Sequence, residues 1–360
     1  MTAGRAPRPA APPLPPGRHV VLPGRGTTFV RQLDGPPGAP VLLLLHGWTA
    51  PSDLTWFACF EELSHHFGVV AMDLRGHGRG LRSRAPFRLE DCADDAAALV
   101  DVLGLRAPGT GPLVVVGYSL GGCVAQLLWR RHGQRPPTMP AAPGTTAGTT
   151  AGAAPGAAPG AAPAAAALLA PQVDAGATTC GARTQGPPPG PGGVLDGLVL
   201  CATSAVFAES REERRYFAAL GGIALASRVT PAPLRRHLAH RILGRRVADC
   251  SIQEWIVEEL RRNDATALLE AGKALGTFDS RPWAADIDVP VSVVVTTEDR
   301  QVAPARQRAL ARAIAGAPVH EVAAGHDACA STPRRFLPAL VAAATSVAGR
   351  VEPSATASAR

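Results

Sequence analysis

A serine stands between glycines in V-V-V-G-Y-S-L-G-G, residues 114–122, directly after a run of valines and directly before a helical pattern. The five residues from Gly117 to Gly121 fit G-x-S-x-G, in which the serine occupies a strained strand-to-helix turn and the glycines let backbone pack around it. Such a pattern recurs by chance, but here the strand precedes it and the helix follows it, as the turn requires. A serine hydroxyl is a weak nucleophile until a base takes its proton, and the base needs a third group to orient it. For a nucleophile on such a turn, the acid and then the histidine come later in the chain. Beyond Ser119 the stretch T-T-E-D-R-Q-V offers Glu298 and Asp299, and the histidines that follow are His320 and His326. His320 falls inside an expected strand, Val319 to Val322, which would fix its ring to one face. His326 lies in the loop A-A-G-H-D and is the better placed base.

Acyl transfer also needs two preorganised N–H donors for the oxyanion. One is expected from the backbone of Leu120, the residue after the nucleophile. The other is expected from the H-G-W loop after Val41 to Leu45, where Trp48 is placed to give its backbone N–H. His46 precedes the serine in the chain and reads as a residue that holds this loop by hydrogen bonding.

The elements that must position these groups are legible as alternation. Val41 to Leu45, Val69 to Met72, Leu113 to Val116, Leu198 to Cys201 and Val291 to Val295 are short and nearly continuously apolar, as strands buried on both faces are. Helical patterns lie between or after them, at Leu54 to His66, Leu89 to Leu103, Leu120 to Arg131, Ala305 to Ile314 and Arg334 to Val347. The alternation predicts a mostly parallel sheet with helices on both faces. His19 to Leu22 and Thr28 to Gln32 read as a leading hairpin on its edge. The region from Phe207 to Arg281 breaks the rhythm with amphipathic helical stretches alone (Glu209 to Leu220, Leu234 to Leu243, Ser251 to Asn263) and reads as an inserted helical lobe above the rim where ligands bind.

Composition divides the 360 residues further. Residues 133–193 are almost entirely Pro, Gly, Ala and Thr, with G-A-A-P three times in succession from Gly152, and cannot bury enough surface to offset their ordering entropy. They read as a disordered insert. Residues 1–17 and 350–360 read as tails, 18–132, 194–206 and 282–349 as one core, and 207–281 as its cap. Because the helix from Leu120 leads away from the active rim, the insert is expected on the opposite one.

The net charge of +7 is arginine-borne, since Lys273 is the only lysine, and no nucleic-acid-binding motif accompanies it. One cluster, Arg228, Arg235, Arg236, His237, His240, Arg241, Arg245 and Arg246, reads either as a solvated helix face or as a site for anionic groups. Seven cysteines without C-x-x-C spacing, most in apolar surroundings, read as small core residues of a reducing compartment. No secretory signal is evident and no apolar run approaches the ~20 residues a membrane span needs. A soluble cytoplasmic protein is expected.

With L-L-L-L-H-G-W, M-D-L-R-G-H-G from Met72, G-Y-S-L-G-G, D-R-Q-V from Asp299 and G-H-D from Gly325, the chain resembles the α/β-hydrolase superfamily in its cap-bearing branch, over nearly its whole length except the tails and the insert. The resemblance implies that Asp299 and not Glu298 is the acid, since the family pattern has Asp followed three positions on by an apolar residue, here Val302. It implies structural roles for Asp73 and His77. Dehalogenases and epoxide hydrolases of the superfamily carry Asp at the nucleophile position, so Ser119 argues against both. What it leaves includes carboxylesterases, enol-lactonases, carbon–carbon bond hydrolases, haloperoxidase-like esterases and a menaquinone-pathway lyase.

The expectation is therefore a serine hydrolase cleaving an ester, lactone or similar acyl bond of a small, largely apolar substrate through an acyl-enzyme. A carbon–carbon bond hydrolase or cofactor-free lyase on the same triad is the alternative, and a non-catalytic binding protein of the same fold is a third reading. Tyr118, Phe207 and Trp255 are expected to line the substrate pocket, unless the lobe's aromatics are its own core. No metal cluster, P-loop or dinucleotide fingerprint is present, so no cofactor is implied.

Overall fold

The apolar runs become strands because only a sheet covered on both sides gives such segments two dry faces. A computed structural model describes residues 11–107, 109–133, 193–229 and 251–351. Its strands are β1 (Gly17–Leu22), β2 (Gly26–Leu33), β3 (Val41–Leu45), β4 (Gly68–Met72), β5 (Leu113–Tyr118), β6 (Gly197–Cys201), β7 (Val291–Thr296) and β8 (Val319–Val322). They form one eight-stranded sheet in the order β1-β2-β4-β3-β5-β6-β7-β8. β1 and β2 are the edge hairpin, β2 runs antiparallel to β4, and every other pairing is parallel.

The helices are α1 (Ser52–Trp56), α2 (Phe60–Ser64), α3 (Leu89–Leu103), α4 (Leu120–Leu128), α5 (Arg211–Val229), α6 (Ser251–Arg261), α7 (Ala265–Thr277), α8 (Pro304–Ala313), α9 (Ala328–Ser331) and α10 (Pro333–Ala348). α3, α4 and α8 bury their apolar residues against one face of the sheet. α1, α2 and α10 cover the other. α3 stops at Gly104, whose φ of 61° is the left-handed conformation that ends helices cheaply only at glycine.

Several elements differ from the periodicity, among them the short helix α9 after the G-H-D loop. The single helix expected over Leu54 to His66 is two short ones, because the Cys59 N–H bonds to the Trp56 carbonyl at 2.8 Å in a tight turn between them. α4 ends in a π-helical turn, Trp129–Gly133. α7 was not anticipated; its start is set by Asp264, whose side chain caps the N–H groups of Thr266 and Ala267.

α5, α6 and α7 lie between β6 and β7. α5 packs along α7 through two small residues, Leu220 against Gly272 and Phe217 against Gly276. The described residues that flank the Pro/Ala/Gly-rich segment meet. Val194 N–H donates to the His132 carbonyl and Asp196 N–H to that of Leu113, both at 2.9 Å. Leu113 opens β5, whereas Ser119 follows its last residue, so this junction sits at the rim opposite the serine. The expected helix Leu234 to Leu243, the cationic cluster beyond Arg228 and the interior of the insert lie outside the described residues, as do residues 1–10 and 352–360. Arg228 itself pairs with Glu270. Cys59, Cys92, Cys123, Cys201 and Cys329 are free and buried. Among the described residues no helix is long and apolar enough to cross a membrane.

Candidate active site

The turn after β5 is built by the absence of side chains around Ser119. A β-carbon on Gly117 would lie 2.4 Å from the Gly121 carbonyl oxygen, and one on Gly121 would lie 2.2 Å from that of Leu45. Only glycine permits both approaches. They press Ser119 into φ 52°, ψ −114°, a conformation costing on the order of 1–3 kcal/mol for a non-glycine residue. Buried hydrogen bonds offset this cost: Ser119 N–H donates to the Cys201 carbonyl at 2.9 Å, and Thr203 Oγ1 donates to the Ser119 carbonyl at 2.8 Å. The serine is thus thrust off the backbone at the head of α4, only 5 % exposed.

His326 Nε2 stands 2.9 Å from Ser119 Oγ, and His326 Nδ1 stands 2.7 Å from Asp299 Oδ2. The acidic partner is heavily engaged. Its Oδ2 also accepts from Thr296 Oγ1 and Gln307 Nε2, and its Oδ1 accepts from the N–H groups of Gln301 and Val302. Burial alone would raise the Asp299 pKa, but the bonds from His326, Val302 and Thr296 outweigh it and hold the carboxyl below its ordinary value. Glu298 is exposed and its N–H bonds to the Ala324 carbonyl. His320 lies in β8, on the strand beyond β7.

Tyr118, expected at the pocket, supports the histidine loop. It is 3 % exposed, and its hydroxyl donates to the His326 carbonyl at 2.6 Å. The ring packs edge-on against Trp56, His326 and Phe336. Burial pushes its phenol well above the ordinary pKa, so it is a neutral prop beneath the histidine loop. Thr203, Gln307 and Tyr118 therefore support the constellation in ways that single-residue spacing does not announce; Gln307 alone left a trace, as a polar residue on the buried side of α8.

The H-G-W loop passes close above the serine, since a β-carbon on Gly47 would stand 3.6 Å from Ser119 Cβ. The backbone of Trp48 follows, while its indole Nε1 turns away to donate to the Leu268 carbonyl of α7 at 2.9 Å. Leu120 is the first residue of α4, where an N–H has no acceptor within its own helix. His46 Nδ1 bonds to the Gly47 carbonyl and its Nε2 accepts from Leu74 N–H, which defines a neutral tautomer. Burial lowers its pKa to about 4. Asp73 takes Ser52 N–H and Oγ on Oδ1 and Arg79 N–H on Oδ2. Burial nevertheless raises its pKa. His77 is lowered to about 3 by burial and by its neighbour His46. These three are fully enclosed supports of the loops around the site.

The lobe aromatics are placed otherwise than expected for a pocket lining. Trp255 is buried with its ring edge-on to Phe57, and Phe207 is buried in the core cluster that contains Phe278 and Trp283. A cavity of about 660 Å³ between α5, α7 and the flank of α3 and α4 is lined by Phe87, Leu127, Lys273 and Trp283, and Ser119, His326, Phe207 and Trp255 are not among its walls. Among the described residues no group of three His, Cys, Asp or Glu side chains is placed to hold a metal.

A family model described as the alpha/beta hydrolase fold matches residues 40–140, which contain the H-G-W loop, Asp73 and Ser119. An esterase/perhydrolase of Acinetobacter calcoaceticus is 42 % identical over 89 residues, 24 % of this chain and 30 % of that protein. In sequence the chain spans about a third of the length of the curated relatives it matches. In structure it is similar over nearly its whole length to an enol-lactonase from Burkholderia xenovorans (TM-score 0.59, 21 % identity, 91 % of this chain and 100 % of that one). A thermophilic esterase from Thermogutta terrifontis gives TM-score 0.58 and 22 % identity over 92 % and 99 % of the two chains. The protein has the α/β-hydrolase fold, and its residues 40–140 match the model of that family.

Proposed function

We propose that this protein is a cap-bearing serine hydrolase that cleaves an ester, lactone or similar acyl bond of a small, largely apolar substrate through an acyl-enzyme. The observation that carries the reading is the continuous chain of hydrogen-bonding atoms from Ser119 Oγ through both nitrogens of His326 to Asp299. In this reading His326 Nε2 takes the hydroxyl proton as Ser119 attacks the carbonyl carbon, and Asp299 stabilises the imidazolium that forms. The backbone N–H groups of Trp48 and Leu120 receive the oxyanion. His326 returns the proton to the leaving group, and water then repeats the sequence on the acyl-enzyme. No cofactor enters any step.

The small-substrate part is supported by enclosure among the described residues: the serine is 5 % exposed and the Trp48 indole is bonded to the Leu268 carbonyl of α7. Free, buried cysteines agree with a reducing compartment, hence a cytoplasmic site of action. Carbon–carbon bond cleavage would use the same residues, and the named similarity to both an esterase and an enol-lactonase leaves the scissile bond to be measured. Purified protein should turn over p-nitrophenyl esters and react with a fluorophosphonate probe, and Ser119→Ala should lose at least ~10³-fold in kcat together with labelling. Wild-type turnover in Ser119→Ala would overturn the reading. A panel of esters, lactones and diketones then separates the bond types.

A further inference from the structure

We propose that Asn263, on the lobe, is a positioning residue for the oxyanion loop, so that the lobe takes part in transition-state stabilisation as well as covering the site. The inference rests on the serine-hydrolase reading above. The loop from His46 to Ser52 is pinned to the core at both ends, at His46 by Leu74 N–H and at Ser52 by Asp73. Between these pins Thr49 has φ 71°, a left-handed conformation that a β-branched residue does not hold unaided. Its carbonyl accepts from Asn263 Nδ2 at 2.7 Å. The other end of the same amide, Oδ1, accepts from Gly78 N–H at 2.7 Å. The orientation of the amide is forced, because a backbone N–H needs the oxygen end and a carbonyl needs the nitrogen end.

Asn263 therefore bridges two core loops, and the residue immediately before Thr49 is Trp48, whose N–H is assigned to the oxyanion. The Thr49 carbonyl lies two peptide planes from the Gly47–Trp48 amide that carries this N–H, so a shift of Thr49 reaches it through the Trp48 backbone. Trp48 is held a second time from the lobe by its indole bond to the Leu268 carbonyl. The α6–α7 junction is itself fixed independently of Thr49. Arg79 joins Glu259 to Asp53, Arg82 Nη2 donates to the Arg262 carbonyl at 2.6 Å, and Asp264 N–H donates to that of Gly76 at 2.8 Å. The lobe is anchored by these contacts, and Asn263 adds a contact whose effect falls on the loop over the serine.

The bland alternative is that Asn263 is one more anchor, and kinetics separate the two. Asn263→Asp keeps the acceptor for Gly78 but sets a carboxylate oxygen against the Thr49 carbonyl. It should lower kcat for a p-nitrophenyl ester roughly 10- to 100-fold, below the full loss of an oxyanion donor, with KM within about three-fold. Affinity for a trifluoromethyl ketone, which forms the tetrahedral adduct, should fall in parallel. Arg79→Ala cuts a lobe anchor without touching Thr49, and Arg261→Ala alters an exposed side chain of α6; both should keep kcat. Asn263→Ser serves as the second variant if the aspartate does not fold. Wild-type kcat and ketone affinity in the folded Asn263 variant, or an equal loss in Arg79→Ala, would overturn the inference. Absence of any Ser119-dependent turnover in the wild type would overturn both readings, whereas Ser119-dependent turnover indifferent to Asn263 overturns this one alone.

Discussion

The two ends of β5 are built under opposite constraints. At the C-terminal end, Gly117 and Gly121 admit backbone where no β-carbon fits, and Ser119 is held in a strained conformation by buried hydrogen bonds. At the N-terminal end, about five residue rises or some 17 Å away, Leu113 accepts from Asp196, and the chain leaves at Gly133 and returns at Gly193. A β-carbon on Gly193 would lie 2.2 Å from the Gly133 carbonyl, so the exit and the return are already in contact. The sheet thus separates the rim of the candidate site, where Ser119 is tightly constrained, from the rim where the described chain leaves at Gly133 and returns at Gly193.

The sharpest way to break this comparison is at the acid. Asp299→Asn should cost about 10³- to 10⁴-fold in kcat by removing the partner that orients His326, whereas Glu298→Gln, an exposed neighbour, should stay within about two-fold. Steady-state kinetics on one ester decide it, and the reverse ranking would mean that the end of β7 is misassigned. Next in size is Gly121→Ala. The clash is with the backbone carbonyl of Leu45, which cannot rotate away, so a loss of at least about 3 kcal/mol in urea unfolding, or failure to fold, is expected.

A third test uses pH. His46 and His77 titrate near 4 and near 3 in the folded protein, where burial disfavours their charged forms, against 6.5 when exposed. Below pH 6.5 the unfolded chain takes up protons that the folded chain refuses, so their contribution is complete above 6.5 and is lost as pH falls toward those values. Each histidine should contribute a loss of about 2–3 kcal/mol between pH 6.5 and 4.5. Asp73 and Glu259, raised by burial, act with the opposite sign and make the net curve shallower. Urea titrations of wild type and His77→Gln at both pH values measure the slope; equal slopes would mean that His77 is not a neutral buried support.

The smallest effect is expected at the other rim. Replacing residues 136–191 by a short Gly/Ser linker should leave kcat/KM for a small ester within a few-fold and Tm unchanged or slightly higher, because loop closure costs only about 0.6 kcal/mol per doubling of length. A large loss of activity in folded protein would show that this segment reaches the serine.

Much of this was legible in the chain because it depends on local order. G-Y-S-L-G between a valine run and a helical pattern specifies the turn, and the five central apolar runs are the parallel strands. D-R-Q-V is informative for a local reason too: Gln301 and Val302 give their N–H groups to Asp299 within one turn of backbone. Helix ends were less legible where a single contact decides them, as at Cys59. The roles of the aromatics were not legible. Tyr118 neighbours the serine in sequence, yet it ends β5 while Ser119 lies in the strained turn beyond, and its hydroxyl donates to the His326 carbonyl.

The sequence alone determined the fold class and singled out Ser119 as the candidate nucleophile with the order of its candidate partners, because periodicity and turn chemistry act over a few neighbouring residues. Only the tertiary structure decided which side chains support them. Thr203 reaches the Ser119 carbonyl across 84 positions, and Asn263 reaches Thr49 across 214. Such contacts are set by how strand ends and lobe helices pack in space. A hydrogen bond between residues so far apart leaves no pattern at either position from which the other could be inferred.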